Sequence, residues 1–158
     1  MEWAVAAVAV SAIAVAQNAG TVAKTADEAK ITIEARQSVF KDIKKAMDPM
    51  SAMLRRQREI DTAVVATNAE QIKALAQKIP AQFAVNTHAF KPVKTLAREG
   101  IWTSQADFKT KADALVNASL NLAIVAKGGD KGATLKAIAD MGKTCGGCHD
   151  NYKDKDES

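Results

Sequence analysis

Three observations predict an all-α fold, an antiparallel up-down-up-down four-helix bundle. Alanine, lysine and leucine abound while aromatic residues are 4% and prolines number three, and alanine and straight-chain residues lose little entropy in a helix. Four stretches repeat apolar residues at three-to-four spacing. No stretch alternates as a strand does, and there is no internal repeat. With 158 residues, 47% hydrophobic and 25% charged, the chain is long enough for one domain with its own core.

The first helix is predicted from about Asp27 to Arg58. Thr25-Ala26-Asp27-Glu28 has the capping-box form, and Val39, Ile43, Met47, Met50 and Leu54 make its stripe, with Phe40 beside them. Pro49 should kink it, because proline removes a backbone donor and clashes with the preceding turn. The second helix carries Val65, Ala69, Ile72, Ala76 and Ile79 and ends at Pro80. Residues 84–102, "AVNTHAFKPVKTLAREGIW", are less periodic, include Pro92 and Gly100, and form the long connection. Thr103-Ser104 followed by Asp107 caps the third helix, whose stripe is Phe108, Ala112, Leu115, Ser119, Leu122 and Ala126, closed by Gly128-Gly129. Asp130 caps the fourth, with Leu135, Ile138, Gly142, Cys145, His149 and Tyr152 on its stripe. Short turns after the first and third helices make the antiparallel bundle the simplest way to hide four stripes.

The N-terminus reads as a secretory signal peptide over residues 1–16, leaving residues 17–158 as the helical domain. Trp3 to Ala16 holds no charge, and Ala14-Val15-Ala16 offers small residues for cleavage before Gln17. The run falls short of the roughly 20 residues that span a bilayer. A periplasmic location without stable membrane association is therefore expected, although "ME" lacks the Lys or Arg usual in an n-region. The formal charge of +4 is spread along the chain and not interleaved with aromatics, which gives no nucleic-acid footprint. No Ser-His-Asp set, phosphate loop or paired carboxylates appear, so no enzyme is expected.

The chemistry concentrates in "TCGGCHDNYK", residues 144–153, which holds both cysteines and one of the two histidines. In C-x-x-C-H on a helix, the sulfurs of Cys145 and Cys148 lie one turn apart on one side. They match the two vinyl groups of a haem, while His149 offers its imidazole to the iron. Zinc needs a fourth donor, and the other histidine, His88, has no neighbouring cysteine. A redox dithiol normally accompanies a strand–helix alternation absent here, and a disulfide across two residues clamps nothing. An adaptor bundle with a coincidental motif is the remaining alternative; haem staining separates it.

A bundle with this motif on its last helix resembles the class II c-type cytochromes, and specifically the cytochrome c′ family. "EARQSVF" (34–40) and "EGIWTSQADFKTKADAL" (99–115) resemble that family's first helix and the start of its third. The resemblance implies one covalent haem c anchored by Cys145 and Cys148, with His149 as metal ligand. It further implies a five-coordinate, high-spin iron with Phe40 blocking its distal side. Arg36, Gln37 and Trp102 are then expected near the haem edge or propionates, and Lys153 beside the ligand. Implied partners are redox proteins and the diatomic gases NO and CO, and implied assembly is a homodimer joined through the first two helices. For that interface, Met50, Met53, Leu54, Val64 and Ala74 are the candidate apolar surface. The alternative within the superfamily is a low-spin electron carrier with a methionine ligand from among Met47, Met50 and Met53. Met47 lies about 10 Å along the helix from Phe40 at 1.5 Å per residue.

Overall fold

The computed structural model describes residues 21–90 and 92–155; the expected signal peptide lies outside them. The helices are α1 (Ala26–Leu54), α2 (Thr62–Ala76), α3 (Ile79–Gln82), α4 (Gly100–Thr103), α5 (Gln105–Lys127) and α6 (Lys131–Tyr152). Among the described residues there is no strand; two isolated bridges, Val22 with Asn86 and Ala97 with Lys153, pin loops to helix ends. No helix among them is long and apolar enough to cross a membrane.

Four long helices form the bundle, with α1 beside α2, α2 beside α5, α5 beside α6 and α6 closing on α1. The α1–α6 seam is the sparsest of the four. Antiparallel order follows from paired contacts: Ser119 Oγ reaches Met141 Sδ, while Asp107, earlier on α5, takes the hydroxyl of Tyr152, later on α6. All five residues of the second stripe and all six of the third are buried, each large apolar side chain contributing about 1.5–3 kcal/mol. Met50, Met53, Ile72, Leu122, Ile138 and Met141 are fully enclosed in the core.

The start of α1 follows its capping box. Glu28 N–H donates to Thr25 Oγ1 at 3.1 Å, and the Glu28 carboxylate accepts the N–H of Lys24, one residue outside the box, at 2.8 Å. The helix runs through Pro49 but stops at Leu54, short of Arg58. Arg56 turns left-handed with φ 58°, and the N–H groups of Arg56 and Gln57 return to the carbonyls of Met53 and Ala52. That is the glycine-favouring helix stop, here made by arginine. The second stripe breaks after Ala76, and Ile79 belongs to the single turn of α3, with Pro80 in its first positions. Ser104 does not cap α5 with its side chain, and the Asp107 carboxylate accepts the Tyr152 hydroxyl. Asp130 caps α6 as expected, accepting Ala133 N–H at 2.8 Å.

Two expectations are corrected by burial. Met50 and Met53 are core residues, 0% and 1% exposed, not part of a free surface; only Leu54, Val64 and Ala74 remain for the interface expected there. The buried line of α6 runs through Thr134, Ala137, Ile138, Met141 and Tyr152. Of the expected stripe, Ile138 and Tyr152 lie on that buried line, whereas Leu135, Gly142 and Cys145 flank it half-buried and His149 is exposed.

Candidate functional site

Met53 of α1 lines one open pocket with Lys131 and Leu135 of α6, so these antiparallel helices meet near that level. Cys148 lies 13 residues beyond Leu135, about 20 Å at 1.5 Å per residue. The same distance back along α1 from Met53 reaches Phe40. The C-x-x-C-H turn and Phe40 therefore fall within about one helical turn of the same level, on the two helices of the sparsest seam.

Aromatic side chains gather at this end. Of four phenylalanines, two tryptophans and one tyrosine in the chain, Phe40, Phe83, Trp102, Phe108 and Tyr152 form one connected group. Phe83 is the hub, with its ring centroid 6.2 Å from Phe40, 6.2 Å from Trp102 and 5.0 Å from Phe108. Phe108 meets Tyr152 edge-on at 5.2 Å. Edge-to-face geometry sets each ring's positive rim against its neighbour's negative face. Phe40 closes the row at the surface, 38% exposed.

Arg36, 3% exposed, lies against this group, with its guanidinium carbon 4.5 Å from the Phe83 centroid and 5.3 Å from that of Trp102. Nε donates to Gln82 O at 2.7 Å, Nη1 to Thr87 Oγ1 at 2.8 Å and Nη2 to Val85 O at 2.5 Å. Burial lowers its pKa to about 10, so it stays charged at neutral pH, its cation spread over carbonyl dipoles and ring faces. Trp102 Nε1 donates to Phe83 O at 3.0 Å and Val85 O at 3.2 Å. Arg36 and Trp102 thus fasten the 82–87 segment to α1 and α4. Gln37 is half-buried and donates to Lys94 O at 2.8 Å, outside the aromatic group.

On α6, Cys145 and Cys148 are half-buried free thiols against the core. Burial pushes both thiols up in pKa, with Thr144 partly offsetting the effect on Cys145; the nearby Cys145 and Asp107 add to it at Cys148, and Lys111 opposes it. A reactive dithiol has the opposite tuning, a thiolate favoured by neighbouring positive charge. Among the described residues no group of three or more His, Cys, Asp or Glu is placed to hold a metal ion. His149 stands exposed in the last turn, its pKa lowered by burial and by Lys153 and raised by Asp150. Lys153 lies just past the helix in extended conformation, its N–H on His149 O at 3.0 Å.

Beside the cysteines, the space a Cβ would enter at Gly142, Gly146 or Gly147 is free of any neighbour within 4 Å. Thiols one turn apart, an adjacent imidazole, a flank stripped of side chains and an aromatic wall at the same level fit a flat apolar group attached through both sulfurs. Phe83 and Arg98 belong to this end but carried no motif, and Asp107, read as part of a helix cap, takes the Tyr152 hydroxyl instead. The scarcity of aromatics was the one signal that pointed to Phe83.

A family model described as Cytochrome C′ matches residues 31–153. Cytochrome c′ of Pararhodospirillum photometricum is 32% identical over 122 residues, 77% of this chain and 95% of that protein. Cytochrome c prime from Shewanella frigidimarina has a similar solved structure, with TM-score 0.71 and 33% identity over 84% of this chain and 99% of that one. The nitric oxide complex of the L16A mutant of cytochrome c prime from Alcaligenes xylosoxidans aligns with TM-score 0.68 and 28% identity, covering 80% of this chain and 96% of that one. Sequence, fold and a C-x-x-C-H turn facing open space thus agree: the chain belongs to the cytochrome c′ family, whose members carry covalently bound haem c.

Proposed function

We propose that Cys145 and Cys148 carry the two thioether links of a single haem c and that His149 is its axial ligand. Phe40 then packs against the opposite face, and the iron is five-coordinate and high-spin. The observation that carries this reading is the level match of Phe40 with Cys148. A phenyl ring offers no lone pair to a metal and excludes water. The methionines that might have served instead are badly placed: Met50 and Met53 are enclosed in the core toward the other end of the bundle, and Met47 lies about 10 Å along α1 from Phe40.

When bound, the haem supplies a one-electron couple and an iron open to diatomic gases. The chain's residues decide which of these is used. Phe40 limits access to small ligands, the rings around Phe83 keep that side apolar, and the donors lying against those rings, on Arg36 and Trp102, are bonded to residues 82–87. Arg36 contributes a fixed buried positive charge near the site, Gln37 and Trp102 hold the adjoining loop, and Lys153 places a second positive charge beside His149. The nitric oxide complex of the Alcaligenes xylosoxidans relative supports NO as a ligand here, and CO by the same chemistry. Electron exchange with redox partner proteins, export to the periplasm with cleavage before Gln17, and a homodimer through α1 and α2 complete the reading. N-terminal sequencing from the native host tests export, and light scattering tests the dimer.

The deciding experiment is absorption spectroscopy of the purified holoprotein. High-spin ferric and ferrous spectra are expected, from a haem that resists acid-acetone extraction. A low-spin spectrum with a methionine-to-iron band that disappears on mutating Met47 would reverse the assignment in favour of simple electron carriage.

A further inference from the structure

We propose that Arg98 is a positioning residue for His149: it caps the helix that carries the ligand and sets how firmly the imidazole is held. The inference rests on His149 being the axial ligand. Its starting point is a weakness in α6. The last four carbonyls of a helix have no partners within it, and here they belong to residues 149–152, the turn that contains His149. Gly146 and Gly147 stand just before that turn, and each glycine in a helix favours the unfolded chain relative to alanine. Left alone, this end frays.

The long connection prevents that, chiefly through one residue. Arg98 N–H donates to Tyr152 O at 3.1 Å, Arg98 Nη1 to Asp150 O at 2.9 Å, and Arg98 Nε to Asp154 Oδ1 at 2.8 Å. The Asp154 N–H in turn reaches Leu96 O at 2.8 Å, and Ala97 bridges Lys153. With Lys153 N–H on His149 O, three of the four terminal carbonyls are satisfied, two of them by Arg98. Tyr152 anchors the inner side, its hydroxyl on Asp107 Oδ2 at 2.5 Å and its ring against Phe108. His149 is therefore exposed yet sits in a turn tied down on both sides. Holding the backbone fixes where the imidazole can stand, as partners outside the first layer do for other metal-ligating histidines.

The test uses the holoprotein of Arg98→Ala, which removes both side-chain bonds and keeps the backbone one, alongside Arg98→Lys, which keeps a charge for Asp154 but not the fork that also reaches Asp150. Amide exchange over residues 149–154 should accelerate roughly 10-fold or more in Arg98→Ala, the loss expected for charge-assisted bonds. The iron–imidazole stretch of the ferrous protein should move to lower frequency, and Arg98→Lys should fall between. Faster exchange with an unchanged stretch would reduce Arg98 to a structural brace and overturn the proposal, as would no change in either. If Arg98→Ala does not fold, Asp154→Asn weakens one bond alone and should give the same two changes in smaller degree. A wild-type protein with no iron–imidazole stretch would instead defeat the ligand assignment on which the proposal stands.

Discussion

Replacing Phe40 with alanine tests the proposal that this ring governs access to the open face of the iron. The ring is 38% exposed, and its inner side meets Phe83 nearly edge-on with centroids 6.2 Å apart. A diatomic ligand arriving from that side has to push the ring out of this contact. Such a pair is worth about 0.5–1.5 kcal/mol beyond its buried area, and 1.36 kcal/mol of barrier is tenfold in rate. Carbon monoxide association in Phe40→Ala should therefore be about 3- to 10-fold faster, with Phe40→Leu between variant and wild type. The stability loss should be about 2 kcal/mol, below the 3–5 kcal/mol typical of a fully buried phenylalanine, because part of this ring already faces water. Flash photolysis of the ferrous protein gives the rate, and urea unfolding gives the stability. An association rate unchanged or slowed in a folded variant would refute the argument, because the ring would then not lie in the ligand's path.

Three further outcomes follow from the same geometry. Arg36→Leu leaves Gln82 O and the Thr87 hydroxyl without the Arg36 donor, while Val85 O keeps Trp102 Nε1 at 3.2 Å, and at about 1–3 kcal/mol for each unsatisfied buried group chemical unfolding should show a loss of about 2 kcal/mol or more. Arg56→Gly relieves a left-handed arginine at φ 58°; about 1–2 kcal/mol of relief less about 0.5–1 kcal/mol of added chain entropy should leave a small gain in unfolding midpoint. Tyr152, the chain's single tyrosine, has its pKa pushed up to about 12 by burial and then by Asp107, against about 10 in an unfolded chain. Its contribution to stability is fully present below pH about 10 and fades as the pH rises toward 12. Tyrosinate absorbance should show that late titration, moved to lower pH in Asp107→Asn.

The fold was legible because a bundle is written in local periodicity. The second and third stripes of apolar residues were buried as the spacing required, since every residue three or four along a helix returns to the same face. Boundaries were less legible where geometry depends on the chain beyond the helix. Arg56 takes the left-handed stop usually given to glycine, so nothing in "LRRQRE" announced that α1 ends at Leu54. Met50 and Met53 looked available for a partner because a stripe alone does not show how widely a helix is enclosed. The neighbouring helices cover both.

The candidate site divides along the same line. Cys145, Cys148 and His149 could be read directly, because their chemistry needs adjacency on one turn and adjacency is what a sequence records. Their surroundings are assembled from residues far apart in the chain. Arg36 is held by the 82–87 segment, Tyr152 by Asp107, and the end of α6 by Arg98, through contacts that span 45 to 56 positions. None of these leaves a spacing rule. The long connection, aperiodic and therefore the least readable part of the chain, supplies Arg98 and Trp102, and the single turn of α3 leads into Phe83. That division follows from the physics of the proposed site: attachment through Cys145 and Cys148 needs only one helical turn, whereas the surrounding rings and the contacts on the end of α6 come from other parts of the chain. A bundle with the motif kept and residues 82–102 replaced by a short linker should still attach haem, yet lose Phe83 and Trp102 and with them the hub of the aromatic group. Its distal side should then admit water, visible as a six-coordinate ferric spectrum, and an unchanged five-coordinate spectrum would show that the motif alone determines the site.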